Sequence, residues 1–359
     1  MRLWVCVDGL DRAETELLRR LPARDIHPVV CGRVAAATGD ALRAGGIPAR
    51  DFTARHRLDF AAARRLRDAL AMERPDILYA PQNTTLAVAL RAARGTGIPV
   101  VAYRGTTGHL SWWDPASRWT YLHSRVAAIV CVSDAVRRYL AETMKLPPAR
   151  LETIYKGHDP AWYTGEPPAR ADFDLAEDDF VVGLTARIRP VKGGMTLLAA
   201  ARAATARIPR LRLLLAGELC DRRVERELRD PFWRGRVVRL GFRADAWRLA
   251  RLADVFVMPS LEREGLPRAV IEAMAQGVPV VVSDAGGMPE LVRDGVCGRV
   301  VPAGQPAPLA EALTELANDT PLRRRYGEAA RARIARDFHV DETARRFADL
   351  LRRIAADVR

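Results

Sequence analysis

The chain has 359 residues, more than one hydrophobic core usually serves, so two domains of roughly 150–180 residues are expected. It is 49% hydrophobic and 28% charged, which excludes wholesale disorder, and no apolar run approaches the roughly 18–20 residues that span a bilayer. The net charge of +13 selects anionic partners (nucleic acid, phosphorylated small molecules or an acidic membrane face), although only Lys145, Lys156 and Lys192 are lysine and much of the arginine fits a solvated surface.

The first ten residues, MRLWVCVDGL, hold about five apolar positions before Asp8. That is too short for a signal-peptide core and reads as a buried strand, so a cytoplasmic location is expected. Further strands are predicted at 26–31, 77–79, 100–103 and 128–132, with helices near 13–21, 58–72, 84–94 and 135–144. Leu58, Ala62, Leu66 and Ala69 recur at intervals of three and four and make one apolar stripe. At 157–179 the periodicity fails among Gly157, Pro160, Gly165, Pro167 and Pro168, which reads as a linker. Alternation then resumes. Strands are expected at 180–185, 211–216, 237–240, 255–258, 278–282 and 299–301; helices fall near 195–207, 244–253, 267–276, 307–316, 322–337 and 341–354. The pattern predicts two doubly wound α/β domains, with ligands at the carboxyl ends of the strands and the cleft between the domains as the expected site. Cys6, Cys31, Cys131, Cys220 and Cys297 lie far apart with no CxxC pair, which suits buried thiols rather than zinc or disulfides.

Chemistry concentrates in two segments. In 255–292, a strand ends at Met258, a loop follows, and Pro267 opens a helix whose first amides can hold an anion beside Arg268. Glu264 and Glu272 flank this turn; carboxylates beside a phosphate suit hydrogen bonds from sugar or ribose hydroxyls. The alternative, two ordinary helix-start charges, is weakened by the place of Glu272 between Ile271 and Ala273. In 183–194, GLTARIRPVKGG, a buried strand runs into a loop with Arg187, Arg189 and Lys192, and Gly193–Gly194 opens a helix. Such cations beside a helix start make a pyrophosphate clamp. Neither GxxxxGK[ST] nor GxGxxG is present, which argues against ATP-type P-loops and NAD.

R-x4-K-G, then E-G-L-P…E-A-M-A-x-G-x-P-V-V, then G-G-x-P-E, resembles family 4 of the retaining GT-B glycosyltransferases (glycosyl transferases group 1) over about 180–338. Tyr155-Lys156-Gly157-His158-Asp159 resembles the family's N-G-x-D turn, with Lys156 in place of Asn. The resemblance implies an N-terminal acceptor-binding domain at 1–160, a C-terminal nucleotide-sugar-binding domain at 161–338, and a helix at 339–359 crossing back to the first domain. It implies that Arg187 and Lys192 hold the donor pyrophosphate, that Glu264 meets the donor sugar, and that Glu272 meets the ribose. Gly265, Leu266 and Pro267 would cap the phosphate, and Gly241 and Phe242 would lie by the base. His109 is the candidate histidine near the reacting sugar, with His123 and His158 as alternatives. Gly9 and Arg104 are expected at the acceptor. Trp112, Trp113 and Trp119 form either a platform for sugar rings or lipid, or local core. Asp172-Phe173-Asp174 has the form of a DxD metal motif but sits in the linker, and the family it resembles needs no such metal.

The implied activity is retaining, metal-independent transfer from a nucleotide diphosphate sugar, UDP- or GDP-linked, to a hydroxyl of a glycan or lipid-linked acceptor in lipopolysaccharide or exopolysaccharide synthesis. Residues 1–160 hold 24 basic and 16 acidic residues, which suits peripheral docking at the anionic inner membrane face. A GT-B sugar-nucleotide epimerase, a non-catalytic relative and a nucleic-acid-binding protein are the competing readings; the last lacks any recognised binding motif.

Overall fold

Parallel strands covered by helices on both faces are apolar along their length, and most strands here are buried at all but one or two positions. A computed structural model of the chain describes residues 1–357. It divides into two units: Met1–Gly157 together with the helix Val340–Asp357, and His158–His339.

The first unit is built on β1 (Arg2–Val7), β2 (His27–Gly32), β3 (Ala49–Arg50), β4 (Ile77–Ala80), β5 (Val100–Arg104), β6 (Val126–Cys131) and β7 (Leu151–Thr153). All pairs are parallel, in the order β3-β2-β1-β4-β5-β6-β7. The order reverses at β1 and β4, where doubly wound sheets open a crevice. Val340–Asp357 completes this core: Phe347, Leu350, Leu351 and Ile354 are buried among Leu3, Val5, Ile26 and Ile77, and the Phe347 ring lies 5.0 Å from that of Tyr79.

The second unit contains β8 (Phe180–Thr185), β9 (Leu211–Ala216), β10 (Val237–Gly241), β11 (Val255–Met258), β12 (Val280–Ser283) and β13 (Gly298–Val301). These are again parallel, in the order β10-β9-β8-β11-β12-β13, with the switch between β8 and β11. Both units are doubly wound parallel sheets, as the sequence pattern predicts.

The segment expected to be a linker is packed structure of the second unit. Trp162, Tyr163 and Leu175 are buried, and Arg170 binds Asp254 at 2.9 Å and the carbonyls of Glu177 and Asp179 at 3.0 Å. Its prolines and short 3-10 turns carry no period of 3.6 or 2, so periodicity had nothing to register. Two edge strands, β3 and β7, and the helix Ala36–Ala44 were also not anticipated. β3 is two exposed residues, and the helix is alanine-rich with Gly39 inside it.

Candidate functional site

The loops after β8 and β11 meet at the switch point of the second sheet. Gly193 adopts φ +70°, and a Cβ there would lie 1.9 Å from the carbonyl of Pro259; the Leu261 amide donates to the Val191 carbonyl at 2.8 Å. Only glycine permits this approach. It brings Lys192 against Glu264: Nζ lies 2.5 Å from Oε1, with both side chains largely buried. Ser260 Oγ donates to the same Oε1 at 2.5 Å, and Ser283 Oγ, at the end of β12, donates to the Ser260 carbonyl. Both serines are buried. The G-G-x-P-E segment supports the same residue from below. A Cβ at Gly286, φ +61°, would lie 2.0 Å from the Glu264 carbonyl, which also accepts from the Gly287 amide at 3.3 Å.

A cavity of about 500 Å3 opens beside this cluster, lined among others by Arg187, Lys192, Phe242, Trp247, Pro267 and Glu272. Arg187 is exposed, 2.9 Å from Glu218 and 3.3 Å from the Cys220 sulfur; that sulfur first, then Glu218, hold its pKa above the ordinary value. The helix Gly194–Ala204 starts without a side-chain cap, as does the helix Arg268–Ala275, whose N-cap is Pro267. Their first amides therefore have no intrahelical acceptor. Glu272 is largely buried and lies 3.4 Å from Arg268. Phe242 is 83% exposed, an unusual state for an aromatic ring and one that presents a face for stacking. Gly241, φ +62°, lines an adjoining groove together with Phe242 and Glu218. Gly265 is buried and Leu266 half-buried between Glu264 and Pro267, outside the lining.

In the first unit, Gly9 takes φ +99°, and Gln82, just past β4, fixes its loop by donating to the Gly9 carbonyl at 3.1 Å and accepting from the Asp8 amide at 3.3 Å. Lys156 reaches the same region, 2.5 Å from Asp11 and 3.0 Å from Glu14. Burial would lower its pKa, but Tyr103, Glu14 and Asp11 outweigh burial and hold it above the ordinary value. Arg104, expected at the acceptor, points inward: it is buried, donates to the carbonyls of Thr106 and Gly108, and lies under the Tyr121 ring at 5.0 Å. It shapes the loop that carries His109, which is exposed at φ +59° directly after Gly108 at φ +76°. His158 is instead buried, 2.5 Å from the Tyr163 hydroxyl, and His123 is held below its ordinary pKa by burial, then Arg125 and Arg150. The tryptophans are not core: Trp113 is 95% exposed, and half-exposed Trp112 donates to the Met144 carbonyl at 3.1 Å.

Sequence reading missed Glu218, Trp247, Ser260 and Ser283. The two serines had one available signal, a small polar residue closing a buried apolar strand. Among the described residues, no three His, Cys, Asp or Glu side chains gather as a metal-ligand group, and no helix is long and apolar enough to cross a membrane.

Residues 166–333 match the model of glycosyl transferases group 1, and residues 7–162 that of Glycosyltransferase Family 4. A phosphatidyl-myo-inositol mannosyltransferase of Mycobacterium leprae is 31% identical over 268 residues, 72% of this chain and 68% of the relative. The amylovoran biosynthesis glycosyltransferase AmsK of Erwinia amylovora is 38% identical over 108 residues, 29% of this chain and 26% of the relative. The chain spans 53–74% of the length of four of the curated relatives it matches. HepE of Anabaena, solved in complex with UDP, superposes with a TM-score of 0.80 at 26% identity, over 98% of this chain and 99% of that one.

Proposed function

The chain belongs to a family of glycosyltransferase enzymes, family 4 with a second unit of the group 1 type, and on that premise we propose that it moves a sugar from a nucleotide diphosphate sugar to a hydroxyl of a glycan or lipid-linked acceptor, with retention and without a divalent cation. The observation that carries this reading is the gathering of Arg187, Lys192, Phe242, Pro267 and Glu272 around one cavity at a sheet switch point. UDP is the first choice of donor base, as HepE is solved with UDP. A role in lipopolysaccharide or exopolysaccharide synthesis, at the cytoplasmic face of the membrane, follows the amylovoran relative and the basic first unit.

In this reading Phe242, beside Gly241, stacks on the base, and Glu272 accepts from the ribose hydroxyls. Arg187, Lys192 and the amides at the two helix starts take the pyrophosphate, with Gly265, Leu266 and Pro267 closing over it. Among the described residues Lys192 and Ser260 both donate to Glu264 Oε1, which leaves Oε2 as the acceptor for a sugar hydroxyl. Gly9, His109, Trp112 and Trp113 face the acceptor, and Arg104 acts by holding the His109 loop.

The bond from the anomeric carbon to the β-phosphate oxygen breaks, and a bond to the acceptor oxygen forms on the same face. The acceptor proton passes to the departing phosphate oxygen. Arg187, Lys192 and the amide dipoles stabilise the negative charge that develops there, the task a divalent metal performs elsewhere. His109 orients the sugar.

The test is UDP release from a panel of UDP- and GDP-sugars in EDTA and in magnesium, with the product anomer read by NMR. Equal turnover in both and an anomer matching the donor are expected; an inverted product or strict dependence on magnesium would overturn the mechanism.

A further inference from the structure

A second feature of the first unit plays no part in that chemistry. Leu58, Phe60, Arg91, Arg94, Trp119 and Arg125 line an open groove of about 690 Å3. Phe60 is 66%, Trp119 48% and Leu58 42% exposed. Three large apolar side chains in one exposed groove are a recognised mark of an interaction surface. The charged side chains that line the groove, Arg91, Arg94 and Arg125, are all of one sign. Arg91 lies over the Phe60 ring at 4.7 Å and donates to the Arg57 carbonyl at 3.1 Å. Arg94 and Arg125 are exposed, and among the described residues neither guanidinium has a hydrogen bond or ion pair.

No carboxylate lines the groove among the described residues. Two nearby acids cap helices: Asp59 accepts from the Ala62 amide at 2.9 Å, and Asp114 from the Ala116 and Ser117 amides at 3.1 and 3.0 Å. The lining itself therefore carries charge of one sign only, which an anionic surface complements. Half-exposed aromatic and aliphatic groups set between long arginines match the boundary of a bilayer, where rings enter the acyl edge and guanidinium groups meet phosphates.

We propose that this groove docks the first unit on an anionic phospholipid surface. The inference rests on the proposed membrane-side acceptor and adds the residues that make the contact. A nucleic acid is the weaker fit, because the apolar groups sit together and are not interleaved along a basic track.

The test uses the full chain, with Arg94→Glu/Arg125→Glu and Phe60→Ser as variants, in co-sedimentation with phosphatidylcholine vesicles with and without phosphatidylglycerol. Wild type is expected to bind only the anionic vesicles. An arginine near such a surface is worth about fivefold, so reversing two weakens binding by at least about 25-fold. Losing the Phe60 ring from the acyl edge weakens it by about tenfold. UDP-induced thermal stabilisation is unchanged in every variant. Undiminished vesicle binding by the double variant would overturn the proposal. So would an unaffected Phe60→Ser protein whose vesicle binding a single-stranded oligonucleotide abolishes, since that describes a polyanion site. Failure to bind vesicles with UDP stabilisation intact refutes the docking surface alone. Vesicle binding without any nucleotide effect refutes the donor reading instead.

Discussion

Replacing Ser260 with Ala probes how Glu264 is held without touching a group assigned to the donor. The hydroxyl donates to Oε1 at 2.5 Å from a fully buried position, so no water replaces it freely. A hydrogen bond to a charged group is worth about 1.5–3 kcal/mol. Lys192 shares the same oxygen and retains part of the alignment, so the lower half of that range applies, a loss of about 13- to 45-fold in kcat/KM. Ser283→Ala removes a neutral bond one step further away, worth about 0.5–1.5 kcal/mol, or roughly 2- to 12-fold. The assay is initial-rate UDP release over a range of donor concentrations. Misplacement of Glu264 lowers kcat more than it raises KM if the carboxylate acts mainly in the transition state. Ser260→Thr, which keeps the hydroxyl, recovers a substantial part of the loss. Activity of Ser260→Ala within twofold of wild type, or a threonine variant no better than alanine, would refute the positioning argument.

Phe242→Ala is expected to leave the melting temperature unchanged, because the ring is exposed, yet to weaken nucleotide binding by about 5- to 150-fold if it stacks on the base, as isothermal titration would show. Lys156→Met leaves Asp11 and Glu14 facing an apolar chain and costs about 3 kcal/mol in denaturant unfolding. Because the folded pKa of Lys156 is raised, the stability it brings is whole below the unfolded value of about 10.4 and fades as pH rises through the folded one. The gap between wild type and variant is therefore constant from neutral pH into the mildly alkaline range and narrows only under strong alkali; a gap that closes near neutrality contradicts the assignment.

The sheets were legible because buried parallel strands are continuous apolar runs, and 180–185, 211–216 and 255–258 coincide with β8, β9 and β11. What the chain hides is contact across distance. Lys192 and Glu264 each stood out by neighbourhood, but nothing in the spacing of residues 72 apart states that they pair. The glycines of the 286–287 pair were visible as a motif, while their reason, a backbone pressed against the Glu264 carbonyl, required the fold. Arg104 shows the opposite error. The resemblance placed it at the acceptor beside His109, but the following loop folds back and its carbonyls take the guanidinium.

The central claim is a nucleotide diphosphate held by Arg187 and Lys192. The most direct measurement is the thermal shift of wild type and Lys192→Ala with UDP, GDP, ADP, CMP and dTDP, each with EDTA or magnesium. The expected result is stabilisation of wild type by UDP, equal in EDTA and magnesium, and lost in the variant. A folded wild-type protein indifferent to every nucleotide, or a variant stabilised as strongly as wild type, would contradict it.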